Sequence, residues 1–508
     1  MSETRPRIGD MHNARRGKVH LRRGKVHLRR GKVHLRRGKV HLRRGKVHLR
    51  RGKVHLRRGS VIVIVIWAVA IAAVVVGAAQ VLAFRQAAMG RESIAKVEAR
   101  WAARAGIEET IAVLEYHTEE PDATNARQLF KDLEKSADGS LLSGTWEIRH
   151  VEDGVEINGP QDEHAKLNIN NIGRTTLLEI SGMTMDVADA IVDWRDSDES
   201  EGMMGAEREF YANRDLGYEP RNGNFRSIAE LELVAGAPPS SVRGEDANLN
   251  GRLDANEDDG ALSEPRDDGD GLLDGGWSSA LTARSMGSLI GASGEPRLNL
   301  KVATAEEMEE RLGVTAAQSA ALTTFAKGAN AKMEMLLAQS LSALATGGGQ
   351  AAAGQQPGSG RRSGRSSSAS AAGGTPSVQA LDAMQMRKIF QEATLEDGTK
   401  PIIGKLNLNT APPSVLRALL PDDPISADAI ISVRGASSTG LLSISDLSGG
   451  TRITQEAIAA LAPYADTQSY VFTITSRGRS NTTGLEVEIT AVVDRSTLPA
   501  RILEYREQ

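Results

Sequence analysis

At 508 residues, a quarter of them charged, the chain is long enough for several cores, and its summed charge of −3 conceals a split. Residues 1–59 carry 22 Lys/Arg against Glu3 and Asp10, about +20, which leaves the remainder near −23. That acidic bulk argues against nucleic-acid binding, and the lack of cysteine excludes disulfides, thiolate metal sites and a cysteine nucleophile.

Residues 15–56 are six copies of RRGKVHL, followed by RRGS. Val and Leu recur once per seven residues beside Gly, so no continuous helical or strand face forms. The stretch reads as a disordered cationic tail, with a nucleic-acid or lipid-headgroup binder as the alternative. Seven of the ten histidines lie in residues 1–59, and the other three, His117, His150 and His164, show no metal-ligand spacing. Behind Gly59-Ser60 runs VIVIVIWAVAIAAVVVGAA, Val61 to Ala79, without a charge. At 1.5 Å per residue it covers roughly 30 Å, the thickness of a bilayer core. A basic segment ahead of such a run stays cytoplasmic, so everything after Phe84 is expected outside. Ile94, Val97, Trp101, Ala105, Ile107, Ile111 and Leu114 continue the helix in amphipathic form. One helix from Ser60 to about His117 is expected, roughly 85 Å long.

Trp146 to Ile157, WEIRHVEDGVEI, alternates on either side of Asp153-Gly154 and predicts a hairpin. Matching strands come only at the C-terminus, at 470–475, 485–493 and 501–505. Strands some 300 residues apart in one sheet imply an insertion, from about 165 to 466. Inside it three segments repeat a theme, starting at Lys166, Arg297 and Lys405. Each has a basic residue, L-N-[IL]-[NK], an apolar-periodic helix, a turn and an alanine-rich helix. Asn168, Asn170, Asn407 and Asn409 are expected to bond nearby backbone. The hairpins read Ser181-Gly182-Met183-Thr184 and Pro421-Asp422-Asp423-Pro424; the second is acidic and would repel a DNA phosphate.

Asp246-ANLNGRLDANE has the register of a calcium loop. Asp246, Asn248, Asn250, the Arg252 carbonyl, Asp254 and Glu257 fall at positions one, three, five, seven, nine and twelve, with Gly251 at six. Calcium is the expected ion, and an acidic disordered loop is the competing account. Asp268-GDGLLDGGW is a half-match, with Arg266 and Trp277 at its outer positions. Residues 347–376 have linker composition, and a helix is expected over 378–393. No G-x-S-x-G, H-E-x-x-H or phosphate loop occurs, so the chain is expected not to be an enzyme.

Arg-Arg-Gly before SVIVIVIWAVAIAAVVV resembles a type IV prepilin signal, which a prepilin peptidase cuts between Gly59 and Ser60 while the apolar helix is kept; a plain signal-anchor is the alternative. Most pilins and pseudopilins carry Glu at mature position five, where this chain has Ile64. The relative that lacks it is the K-type minor pseudopilin of type II secretion (general secretion pathway protein K), whose order of elements the chain resembles. The resemblance implies an α+β fold: a long N-terminal transmembrane and stem helix, and a pilin-like antiparallel sheet domain with inserted helical, helix-hairpin-helix or SAM-like domains. The expected parts are a leader 1–59, a helix 60–117, sheet pieces 118–164 and 467–508, helical domains 165–345 and 377–466, and a linker 346–376. It also implies calcium held by loop carboxylates in the first helical domain, with Asp196, Asp198 and Glu207 as candidates by position. The implied role is capping of the pseudopilus tip, in the inner membrane as a single-pass protein with a periplasmic C-terminal domain. Implied partners are I-type and J-type minor pseudopilins, the prepilin peptidase and the inner membrane, without nucleic acid or small-molecule substrate. A type IV minor pilin and a membrane-anchored DNA-uptake receptor are the rival readings.

Overall fold

A computed structural model describes residues 58–214, 216–345, 378–399, 402–449 and 452–508. The leader repeats at 15–56 and the linker expected at 346–376 therefore lie outside the described residues. By compactness the chain divides after Ala78.

Helix α1, Arg58–Glu119, has 62 residues. From Val61 to Ala78 it is apolar on every side and exposed except at half-buried Gly77, Ile62 at 62% and Trp67 at 65%; among the described residues it is the helix long and apolar enough to cross a membrane. From Ala79 onward the pattern changes. Ala95, Ala99, Ala102, Ala103, Ile107 and Leu114 are buried, while Ile94, Val97 and Trp101 remain exposed.

Helix α2 (Gln128–Lys135) follows, then β1 (Asp138–Ser140), β2 (Gly144–Glu152), β3 (Val155–Asn158) and β4 (Gln161–Asp162). The β2–β3 turn is the expected one: Asp153 and Gly154 both have positive φ, 47° and 74°, as a type I′ hairpin requires.

Three helical units come next, each opened by a Leu-Asn pair and closed by a distant parallel partner of two residues. The first runs from β5 (Leu167–Asn168) through α3 (Arg174–Leu178), α4 (Met185–Arg195), α5 (Arg208–Asn213), α6 (Pro239–Arg243) and α7 (Gly276–Ala280) to β6 (Leu281–Thr282). The second runs from β7 (Leu298–Asn299) through α8 (Ala305–Leu312), α9 (Ala316–Ala326), α10 (Met335–Ala338), α11 (Leu341–Ala345) and α12 (Ala383–Glu392) to β8 (Ala393–Thr394). The third runs from β9 (Leu406–Asn407) through α13 (Pro413–Leu419), α14 (Pro424–Ala436) and α15 (Gln455–Leu461) to β10 (Ala465–Asp466). The opening asparagines work alike. Asn168, Asn299 and Asn407 each accept the amide two residues on at 2.9 Å, and each donates across the unit, to Ser285, the Glu396 carbonyl and Ser469. The basic residue ahead of each pair donates to the carbonyl end of the helix before the closing strand. Lys166 reaches Ser278 at 2.8 Å, Arg297 reaches Phe390 at 3.2 Å and Lys405 reaches Ala462 at 2.7 Å. A cation there complements the helix dipole.

The first and third units share one hydrophobic core, in which Ile191, Trp194, Leu231, Leu416, Ile430 and Leu461 are buried. The second has its own, which joins Leu300, Met308, Leu322 and Leu336 to Ile389 and Leu395. The expected division between domains 165–345 and 377–466 thus crosses a single unit, because α12 supplies the apolar face that covers α8 and α9.

Strands β11 (Val471–Ser480), β12 (Glu486–Asp494) and β13 (Arg501–Glu507) complete the sheet. Its order is β1-β2-β11-β12-β13, antiparallel throughout, with β3 on β2 and β4 on β11. Helix α1 and α2 cover one face around Ile107, Leu114, Leu133, Ile148, Phe472, Ile474 and Ile489. The approach of α1 is close because the contact residues are small: a Cβ on Gly478 would lie 2.0 Å from the Ala99 carbonyl oxygen.

Candidate calcium sites

The loop 246–257 is built by turns the sequence dictates. Asp246 accepts the amides of Asn250 and Gly251, both at 3.0 Å. Asn248 Oδ1 accepts Asn250 N at 3.0 Å, and Asn250 Oδ1 accepts Arg252 N at 2.8 Å. Leu249 and Gly251 take positive φ, 55° and 69°, which curl the backbone inward. Glu257 closes the ring, accepting Ala247 N at 3.0 Å and Asp254 N at 2.9 Å. Asp246, Asn250, Arg252 and Glu257 are all buried. Burial pushes the Asp246 and Glu257 carboxyls up, Glu257 to about 7 with Asp246 and Asp254 adding to the shift. Asp254 is the outlier. Its Oδ2 takes the Asn248 and Asn250 amides at 2.9 and 3.0 Å, and Oδ1 takes Arg477 of β11 at 2.7 Å.

The six expected loop positions are therefore together, but Asp246, Asp254 and Glu257 do not bring their oxygens within 4.8 Å of one another. Among the described residues, the trio that does is Asp193, Asp196 and Glu207. Asp193 lies on the last turn of α4 and is 2% exposed; it accepts Gly202 N at 3.0 Å and Ala206 N at 2.9 Å. Gly205 allows this approach, since a Cβ there would sit 1.8 Å from Asp193 Oδ2. Both oxygens of buried Glu207 lack a hydrogen-bond partner. Burial, then Asp193 and Asp196, push Glu207 up to about 7. Two carboxylate oxygens without donors, facing two further carboxylates, form a site that lacks a positive charge.

Of the residues expected here, Asp196 and Glu207 are in the trio and Asp198 is not. Asp198 is exposed, and its carboxylate accepts Ser200 N at 2.8 Å in a turn of its own. Asp193 takes the place it was expected to fill. It was hidden in the sequence as one polar residue in α4, although its spacing of three from Asp196 brings the two together across the helix end. Both sets are hard oxygen donors without His or Cys, and they fit calcium by the chemistry of the donors.

Around Asp268 the acidic side chains accept backbone amides. Asp267 takes Gly260 N at 2.7 Å, Asp268 takes Asp270 N at 3.1 Å and Asp270 takes Leu272 N at 2.8 Å. Trp277, at the twelfth position of that half-match, is buried and donates to the Ser181 carbonyl at 3.0 Å. Gly59 and Ser60 lie in the first turn of α1, and Ile64 is exposed on it. His117 bonds Asp132 at 3.0 Å, His150 the Gly159 carbonyl at 2.9 Å and His164 the Lys405 carbonyl at 2.7 Å, so the three serve separate contacts.

Comparison with known proteins gives two family matches, both to models described as type II secretion system (T2SS), protein K: residues 156–244 and residues 406–468. The first contains Asp193, Asp196 and Glu207, and stops just before the 246–257 loop. No curated protein matches the chain. Among solved structures, the GspK-GspI-GspJ complex from the enterotoxigenic Escherichia coli type 2 secretion system is similar at 11% identity and a TM-score of 0.40, covering 82% of this chain and 99% of that one. The first and third helical units are those the family models recognise, so the chain carries two regions of the protein K family of type II secretion systems.

Proposed function

We propose that this chain caps the tip of a type II secretion pseudopilus and supports the export of folded proteins across the outer membrane. The observation that carries the reading is the pair of protein K matches flanking the second helical unit. Ile64 supports the tip position. The Glu that most relatives have there meets the amino terminus of the subunit ahead, and a terminal subunit has none ahead. The partners proposed are the I-type and J-type minor pseudopilins, with the prepilin peptidase as a transient one. The apolar start of α1 anchors the chain once in the inner membrane, and the acidic domain works in the periplasm as a structural part rather than an enzyme. N-terminal sequencing after co-expression with a prepilin peptidase tests the leader. A mature chain that starts anywhere but Ser60 would sink the reading, and co-purification with I-type and J-type subunits tests the assembly.

Calcium is the proposed ion at two places. Asp193, Asp196 and Glu207 would hold one ion. Asp246, Asn248, Asn250, the Arg252 carbonyl, Asp254 and Glu257 would hold another. In both the ion supplies the positive charge that relieves buried carboxylates. Calorimetric titration of the full chain is expected to show two classes of site. Asp193→Asn/Glu207→Gln should remove one, and Asp246→Asn/Glu257→Gln the other. Isotherms unchanged by either pair refute the assignment.

A further inference from the structure

Strand β13 is weakly held by its own side chains. It lies at the edge of the sheet, none of its residues is buried, and Ile502, Leu503 and Tyr505 are 50%, 46% and 47% exposed. Among the described residues it pairs with β12 alone, and the pairing shifts register between Val492 and Val493. What grips its far end is the 246–257 loop. Arg506 donates to the carbonyls of Asn248 at 3.0 Å and Leu249 at 3.1 Å. These carbonyls are presented by the tight turn in which Leu249 holds a φ of 55°.

The same loop reaches three other strands. Val151 of β2 donates to the Gly251 carbonyl at 2.7 Å, and Thr475 of β11 to the Asn250 carbonyl at 2.8 Å. Asn250 Nδ2 meets Glu488 of β12 at 2.9 Å, and Arg477 joins Asp254 to Glu488 at 2.7 and 2.9 Å.

We propose that calcium in the 246–257 loop is the latch that keeps β13 on the sheet. This rests on the calcium reading of that loop. Asp246, Asp254 and Glu257 place three carboxyls in one short turn; Arg477 answers Asp254, and a cation within the loop would answer the other two and hold its carbonyls in line. When the ion leaves, the turn relaxes and Arg506 loses both acceptors. The edge strand then depends on one ladder and on three side-chain ion pairs, Arg100–Glu507, Arg284–Glu504 and Arg501–Asp494. Strands with so little buried surface open locally well before a domain unfolds. The ion therefore acts on a strand whose Arg506 lies 257 residues downstream of Leu249, and not only on the insertion that binds it.

Amide hydrogen exchange of the full chain in detergent, with 1 mM calcium or with a chelator, tests this. Calcium is expected to slow exchange at residues 501–507 at least tenfold in the wild type. Arg506→Gln should still bind calcium by titration yet lose that protection, and Asp193→Asn/Glu207→Gln should keep it. If calcium binds the loop and exchange in β13 is the same with and without it, the latch is wrong and the calcium reading stands. If Asp246→Asn/Glu257→Gln removes no binding, both fall together.

Discussion

Asp193 and Gly205 show how one missing methyl group sets a site. In Gly205→Ala the new Cβ would occupy the space of Asp193 Oδ2, 1.8 Å away, and push that carboxylate off the Gly202 and Ala206 amides. We expect calorimetry to show calcium affinity at this site down at least tenfold, and melting to show about 1–3 kcal/mol of lost stability. His150 gives a residue-level test in pH. Burial depresses its pKa to about 4, and it stays neutral with a ring nitrogen on the Gly159 carbonyl. A depressed base binds its proton more readily when unfolded. Its contribution is therefore complete above about pH 6.5 and is lost as pH falls toward about 4, up to about 3 kcal/mol. Urea unfolding at pH 7.5 and pH 5 should show a larger loss in the wild type than in His150→Asn; equal losses would contradict the assignment. The loop at 246–257 was legible because its six oxygen donors sit in one continuous register. The trio at Asp193 was only half legible, because Asp193 and Asp196 flank a helix end while Glu207 comes from the loop beyond it, with no short spacing to link it to them.

Between elements, the tightest fit is where α1 crosses β11. Gly478→Ala would set a Cβ 2.0 Å from the Ala99 carbonyl and 2.3 Å from the Ala103 nitrogen, backbone atoms that cannot rotate away. The helix has to lift off the sheet, at a cost of about 1–3 kcal/mol or more, readable as a lower urea midpoint. Gly435, inside α14, is the contrasting case. Nothing lies within 4 Å of its would-be Cβ, so Gly435→Ala should stabilise by about 0.5–1 kcal/mol through helix propensity alone. The long strands and the Asp153-Gly154 hairpin could be read from alternation, which needs four residues or more to register. Strand β1, Asp-Gly-Ser, and the two-residue parallel bridges carry no period at all. For the same reason α12 was legible as a helix but not as the lid of the second unit, since its partners Met308 and Leu322 stand more than sixty residues away.

For the whole chain, calcium is expected to add stability by mass action. At a thousandfold excess over the dissociation constant, one site contributes about 4 kcal/mol. Thermal melts with calcium and with a chelator should differ accordingly, and limited proteolysis in chelator should cut first within 246–275, where exposed acidic turns replace helices. A chelated sample that melts and digests like the calcium-bound one would contradict this.

The sheet order has a further consequence in time. Strand β2 ends at Glu152 and its neighbour β11 begins at Val471, about 320 residues later. A ribosome adding about 5–20 residues per second leaves β2 waiting roughly 15–60 s for that neighbour. The helical units can close in sequence during the delay, since each carries its own Leu-Asn strand and closing partner. The pilin-type sheet, whose first strands are made before any of them, is finished last. For that interval the open side of β2 is an unpaired edge, and keeping it from other chains is a task for whatever accompanies the protein as it is made.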